Sequence, residues 1–223
     1  MCGRFSLSTA GKELIRIFKL DEIPDDYHKR YNIAPTQPVV VLSDGRVRKL
    51  RYFKWGLIPH WAKDAKIGNK LINARSETID EKPSFRNAFK NRRCLIIADG
   101  FYEWKKVEDG KIPFYIRLKD KRPFAFAGLW EVWTNPEDGE TVHSCTIITC
   151  ESNELMAKFH HRMPVILPPE KYDEWLDVSV YDPEKLKAML VPYPSEKMEA
   201  YEVSKEVNSP RNDSKELILP FEG

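Results

Sequence analysis

The sequence is poor in cysteine, and what it has is not arranged for metal. Its 4 Cys stand at positions 2, 94, 145 and 150 without a CxxC pair. A zinc site draws on two such pairs, or on Cys and His pairs at ligand spacing, so no metal is expected. A disulfide framework is absent too, which fits a reducing, cytoplasmic compartment. No run of about 20 apolar residues occurs, so no membrane span is expected. Residues 14–20 are apolar only in part, carry Arg16 and Lys19, and lack the cleavage site of a secretory signal. An excess of one charge is missing as well. The formal net charge is +2, so bulk electrostatics does not argue for nucleic acid, and a basic surface has to come from local clustering. Neither internal repeats nor long linkers are visible.

What is present is a core-forming chain of 223 residues, 42% hydrophobic and 12% aromatic. That is enough for one core, read as one domain over 1–223. Leu14, Ile17 and Phe18 at helical spacing predict a helix, with Ser8 and Thr9 as caps. Residues 39–42 and 47–58 flank Ser43-Asp44-Gly45-Arg46, a hairpin signal. Residues 93–107 and 112–118 form a second such pair around Asp109-Gly110. Residues 124–133 and 141–150 form a third. Short strands are expected at 163–167 and 199–204. Asp182-Pro183 opens a helix to about Leu190. Residues 63–68 read as a mobile loop, and Asn208 to Gly223 has no clear periodicity. Helices among short strands without βαβ alternation predict an α+β fold, an antiparallel sheet or partly closed barrel with peripheral helices. Cys145 and Cys150 lie in an apolar run and read as packing residues.

Four places carry candidate chemistry. Cys2 follows Met1, and a mature chain beginning there would hold a thiol and an α-amine on adjacent carbons. An unperturbed α-amine has a pKa of about 7.7–8.0, so part of it is unprotonated near neutrality. Such a 1,2-aminothiol closes on an aldehyde to a thiazolidine; the plain alternative is a frayed terminus. Glu103 lies in Asp99-Gly100-Phe101-Tyr102-Glu103-Trp104-Lys105. On a strand, Phe101, Glu103 and Lys105 share one face while Tyr102 and Trp104 share the other. Glu103 is then a solvated surface charge or a desolvated acid with a raised pKa. His160 and His161 follow residues 152–159, a short helix with Ser152 as cap. A helix C-terminus favours imidazolium, and the alternative is an ordinary surface helix end. Asn73 and Arg75 alternate with small or apolar residues and project from one side, as an orienting amide and a phosphate clamp. Tyr31, Trp55 and Trp61 add aromatic faces that suit single-stranded nucleic acid, or a core.

Taken together the motifs become specific. Cys2-Gly3-Arg4-Phe5, Tyr31-Asn32-Ile33-Ala34-Pro35, Trp55-Gly56-Leu57-Ile58-Pro59 with Trp61, Ile72-Asn73-Ala74-Arg75-Ser76-Glu77, Asp99 to Trp104, and His160-His161-Arg162-Met163-Pro164 occur in this order. The chain closely resembles the SOS-response-associated peptidase (SRAP) family of abasic-site processing proteins, from Cys2 to about Asn208. The resemblance implies a sensor of abasic sites in single-stranded DNA that forms a covalent thiazolidine cross-link. It implies catalytic roles for Cys2, Asn73, Glu103 and His160, as nucleophile, orienting amide, acid/base and proton donor. Arg4, Arg75 and Arg162 would hold phosphates. Trp61 and Pro35 would pack against the strand, and Asn32 would support that loop. Self-removal of Met1 is implied as well. No cofactor is required, a monomer suffices, and nucleoid association would follow DNA binding. The alternatives are a cysteine peptidase using Cys2 with His160, and a non-catalytic single-strand binding module.

Overall fold

Runs of β-branched and aromatic residues cut by Gly, Pro and Asp become short strands in the computed structural model, which describes residues 2–222. In chain order the elements are β1 (Phe5–Leu7), α1 (Gly11–Phe18), β2 (Arg30–Ile33), β3 (Pro38–Leu42), β4 (Leu50–Trp55), β5 (Asn73–Arg75), α2 (Arg86–Asn91), β6 (Arg93–Ala98), β7 (Gly100–Val107), β8 (Gly110–Leu118), β9 (Phe124–Thr134), β10 (Thr141–Glu151), β11 (Arg162–Pro164), β12 (Ile166–Leu167), α3 (Tyr172–Leu176), α4 (Pro183–Lys187) and β13 (Met198–Glu202). The expected removal of Met1 concerns a residue outside those described.

The barrel is fully closed. β4 pairs with β3, β3 with β6, β6 with β9, and β9 with β10. β10 then returns to β4 through a parallel pairing, Ser144↔Lys54 and Cys145↔Trp55. Closure removes the two open edges that a sheet of this size would leave. The second half of β10 carries β5 and β11. A second, antiparallel sheet runs β13-β8-β7-β1-β2. Phe5 of β1 meets Trp55 edge-on at 5.1 Å and Phe126 at 5.8 Å, fastening this sheet to the barrel. The fold is α+β, as expected.

Several local expectations change. The run 93–107 is not one strand. It breaks at Asp99, leaving β6 in the barrel and β7 in the second sheet; the Asp99-Gly100 pair inside the run is the local sign of the crossing. Ser8 and Thr9 do not cap α1. The N-cap is Ala10, without a side-chain bond, because both hydroxyls donate to Asp99 instead. Residues 63–68 fall largely in a 3-10 helix, Ala65–Lys70, whose cap Asp64 accepts from the Lys66 N–H. Gly68 there packs so closely on Gly56 that a Cβ would lie 2.6 Å from the Gly56 carbonyl oxygen. The helix expected at 152–159 is reduced to a turn, Met156–Lys158, with Asn153 rather than Ser152 accepting from the Met156 N–H. Asp182 does cap α4, accepting from the Lys185 N–H at 3.0 Å. The Cys145 and Cys150 side chains are buried, as their apolar setting predicts. Among the described residues no helix is long and apolar enough to cross a membrane.

The segment after β13 has no periodicity to read, yet it is bound throughout. Val207 and Leu217 are fully buried against Tyr102, Tyr115 and Val203 on the second sheet. The Asp213 carboxylate accepts from the Arg30 Nε and the Tyr31 and Asn32 N–H groups.

Candidate active site

Cys2 is completely buried. The Asn73 side chain, at the start of β5, donates from Nδ2 to the Cys2 carbonyl at 2.9 Å. The Asn73 Oδ1 is buried and has no hydrogen-bond partner among the described residues, so an acceptor beside Cys2 is vacant. Burial pushes the Cys2 thiol well above the usual range, and the nearby Glu103 carboxylate pushes it further. The thiol is therefore protonated at neutral pH.

Glu103 occupies the face predicted for it. Phe101 packs in the main core while Tyr102 and Trp104 pack in the second cluster, so by strand alternation Glu103 shares the Phe101 side. Only 6% of Glu103 is exposed, and burial raises its pKa above the usual carboxylate range. The desolvated-acid reading thus replaces the surface one.

His160 is brought to the same side. Phe114 lies directly across from Glu103, and Phe159 packs on Phe114 with ring centres 5.0 Å apart. The Arg162 N–H donates to His160 Nδ1 at 2.9 Å. That bond needs the Nδ1 lone pair, so the proton of the neutral ring sits on Nε2. Burial lowers the His160 pKa. This works against the expected imidazolium, and the helix meant to favour the charge is only one turn long.

The four catalytic candidates therefore gather on one side of β7, and the remaining residues divide, the Arg4 guanidinium lying on the other side over Trp104. Trp61 is 49% exposed and Arg75 is exposed beside Glu151, Ser152 and His161. Pro35 is half-buried in the turn after β2. Arg162 is buried, with its guanidinium paired bidentately to Glu77 and bonded to the Thr149 carbonyl. Asn32 is fully buried. Its Nδ2 reaches the carbonyls of Val207, Ser209 and Asn212, and its Oδ1 accepts from Arg4 Nη1 at 2.8 Å. Arg4 Nη1 also donates to the Val207 carbonyl, and its guanidinium lies over the Trp104 ring. Sequence reasoning assigned no role to Glu77, Asp99 or Asp213. Glu77 and Asp99 stand inside the ordered motifs, which is a usable signal; Asp213 has none, since its partners are distant in the chain.

The profile of the SOS response associated peptidase (SRAP) family matches residues 1–210. The chain belongs to this family. Among relatives, it is 51% identical over 222 residues to the abasic site processing protein YoqW of Bacillus subtilis (strain 168), covering 98% of this chain and 99% of that one. It is 33% identical to the abasic site processing protein HMCES of Gallus gallus, covering 88% of this chain and 67% of that one. A crystal structure of a Bacteroides thetaiotaomicron protein superposes with a TM-score of 0.87 at 28% identity, covering 99% of this chain and 100% of that one. SRAP membership rests on nearly the whole chain, and the clustered residues all fall within the matched span.

Proposed function

We propose that this chain captures abasic sites in single-stranded DNA as a covalent thiazolidine on Cys2. The observation that carries the reading is the Asn73–Cys2 bond with a desolvated Glu103 beside the buried thiol. The names of the relatives, abasic site processing proteins, point to the same substrate.

The reaction needs Met1 removed, since an amide nitrogen at Cys2 cannot condense. The α-amine adds to the ring-opened sugar's aldehyde, giving a carbinolamine. Protonated Glu103 delivers a proton to its hydroxyl, which leaves as water, and an imine forms. The Cys2 sulfur then adds to the imine carbon. The imine is formed as the iminium, its nitrogen keeps the hydrogen it has, and the thiol proton passes to the Glu103 carboxylate, so Glu103 is restored and the net change is loss of one water. The amine attacks first because the thiol is held protonated. Vacant Asn73 Oδ1 is placed to accept from the amine and aim its lone pair. Neutral His160 donates from Nε2 toward the opened sugar oxygen.

Arg75 and Trp61 supply the exposed contacts to phosphate and base, with Pro35 behind them. Arg4 supplies charge beneath the strand. Buried Arg162 and Asn32 act through others: Arg162 orients His160, and Asn32 orients Arg4. A cysteine peptidase fits less well. Such enzymes lower the thiol pKa to obtain thiolate, and here it is raised.

Incubation with an abasic single-stranded oligonucleotide is expected to give a gel-shifted adduct that survives heating. Intact mass should equal the chain without Met1, plus the DNA, minus one water. An undamaged oligonucleotide shifting equally, with no covalent mass, would leave only a binding module. A second expectation concerns pH. Glu103 acts in its protonated form, so its contribution declines as pH rises through its raised pKa. Glu103→Gln should lower the capture rate by about 10²-fold and abolish that alkaline decline, read by single-turnover gels across pH. An unchanged pH profile would remove Glu103 from the proton-transfer role.

A further inference from the structure

β1 is three residues long, and its pairing with β7 covers only Phe5↔Phe101 and Ser6↔Gly100. Its pairing with β2 shifts between Phe5 and Leu7. All three β1 residues are buried, so alternation of polar and apolar residues does not choose the register, as it does in longer strands. Register nevertheless decides where Cys2 lies. A slip of one residue moves the backbone by about 3.3 Å, which breaks the Asn73–Cys2 bond.

Asp99 stands where the chain crosses from β6 to β7, and it holds the residues just after β1. Its Oδ2 accepts from the Ser8 N–H, from Ser8 Oγ at 2.7 Å and from the Thr9 N–H at 3.0 Å. Its Oδ1 accepts from Thr9 Oγ1 at 2.6 Å. Its own N–H donates to the Ser6 carbonyl at 2.9 Å. Two consecutive hydroxyl residues meet the two carboxylate oxygens, and Leu7 and Ala10 flank them. A slip either way replaces a hydroxyl donor by hydrocarbon and leaves a buried carboxylate oxygen short of a partner, which disfavours the slipped registers. Gly100 fixes the same spot, since a Cβ there would lie 2.4 Å from the Tyr115 ring.

We propose that Asp99 is a positioning residue that sets the register of the N-terminal strand and so seats Cys2 between Asn73 and Glu103. This rests on the reading of Cys2 as the capturing residue. Two variants test it. Asp99→Asn keeps the shape and puts an NH2 group where an acceptor is needed. The double variant Ser8→Ala with Thr9→Val removes both hydroxyl donors and leaves the carboxylate and both backbone N–H groups. Capture rate constants are measured at saturating abasic oligonucleotide. Affinity is measured with an oligonucleotide carrying a tetrahydrofuran site, which has no aldehyde, and folding by thermal unfolding.

Asp99→Asn is expected to lose about 10²-fold in rate constant, the scale of a misplacement of about 1 Å at a reacting centre, with tetrahydrofuran-site affinity unchanged. The double variant should lose less, in the same split. Wild-type capture by a folded variant would overturn the proposal, as would a rate and an affinity that fall together. If Asp99→Asn does not fold, the double variant decides. Wild-type protein that forms no adduct would overturn the capture reading itself, and the proposal with it.

Discussion

Cys2→Ala is expected to form no heat-stable adduct with abasic single-stranded DNA. The substitution keeps the α-amine, so the imine still forms and borohydride should trap it. What disappears is the second bond. In the wild-type protein thiol and amine share one residue, and well-oriented intramolecular partners reach effective molarities of about 10⁵–10⁸ M. No external thiol approaches that, so the loss of stable adduct should exceed about 10³-fold by the same reasoning. The stranded imine has another exit, β-elimination, so strand cleavage should rise as stable capture falls. A heated denaturing gel with and without borohydride reads both products. Equal heat-stable adduct from the alanine variant would end the thiazolidine scheme.

Arg93→Met should be the most damaging substitution away from the site. Arg93 is fully buried. Its guanidinium donates to the carbonyls of Phe89 and Lys90 at 2.9 Å, Trp175 at 2.7 Å and Asp177. These are the C-terminal carbonyls of α2 and α3, where a cation is favoured by the helix dipole. One side chain thus docks two helices on the barrel. Methionine fills much of the volume but supplies no donor. The Phe89 and Trp175 carbonyls are then buried without partners, at about 1–3 kcal/mol each. A loss of about 4 kcal/mol belongs to the rare, large class and should lower Tm by roughly 10 °C. Thermal unfolding checks it, and a shift below about 2 °C would show that water satisfies those carbonyls.

The parts of this molecule legible in the sequence are those where a residue type is forced by chemistry or by a period of two. The strand alternation put Glu103 opposite Trp104, and the structure keeps that division. Asp182-Pro183 announced α4. The β9–β10 hairpin was visible from its turn residues and pairs from Thr141↔Thr134 to Ile147↔Gly128. What was not legible depends on partners far along the chain. Barrel closure rests on β10 meeting β4 in parallel, which no local pattern encodes. Arg162 looks like a phosphate clamp by type, but Glu77, 85 positions away, takes its guanidinium. The His160 tautomer turns on a single backbone N–H. Asn32 is expected to support the Pro35 loop, and only the returning segment from Val207 to Asp213 shows what it is buried against.

That returning segment sets an order of events during synthesis. Arg4 and Asn32 obtain their partners from Val207, Ser209, Asn212 and Asp213, which leave the ribosome about 200 residues after the cysteine has emerged. A nascent chain therefore carries Arg4 and Asn32 long before the partners that hold them exist. Docking of Arg4 and Asn32 is deferred until residues 207–213 have been made, so the sheet that carries the N-terminal strand completes late.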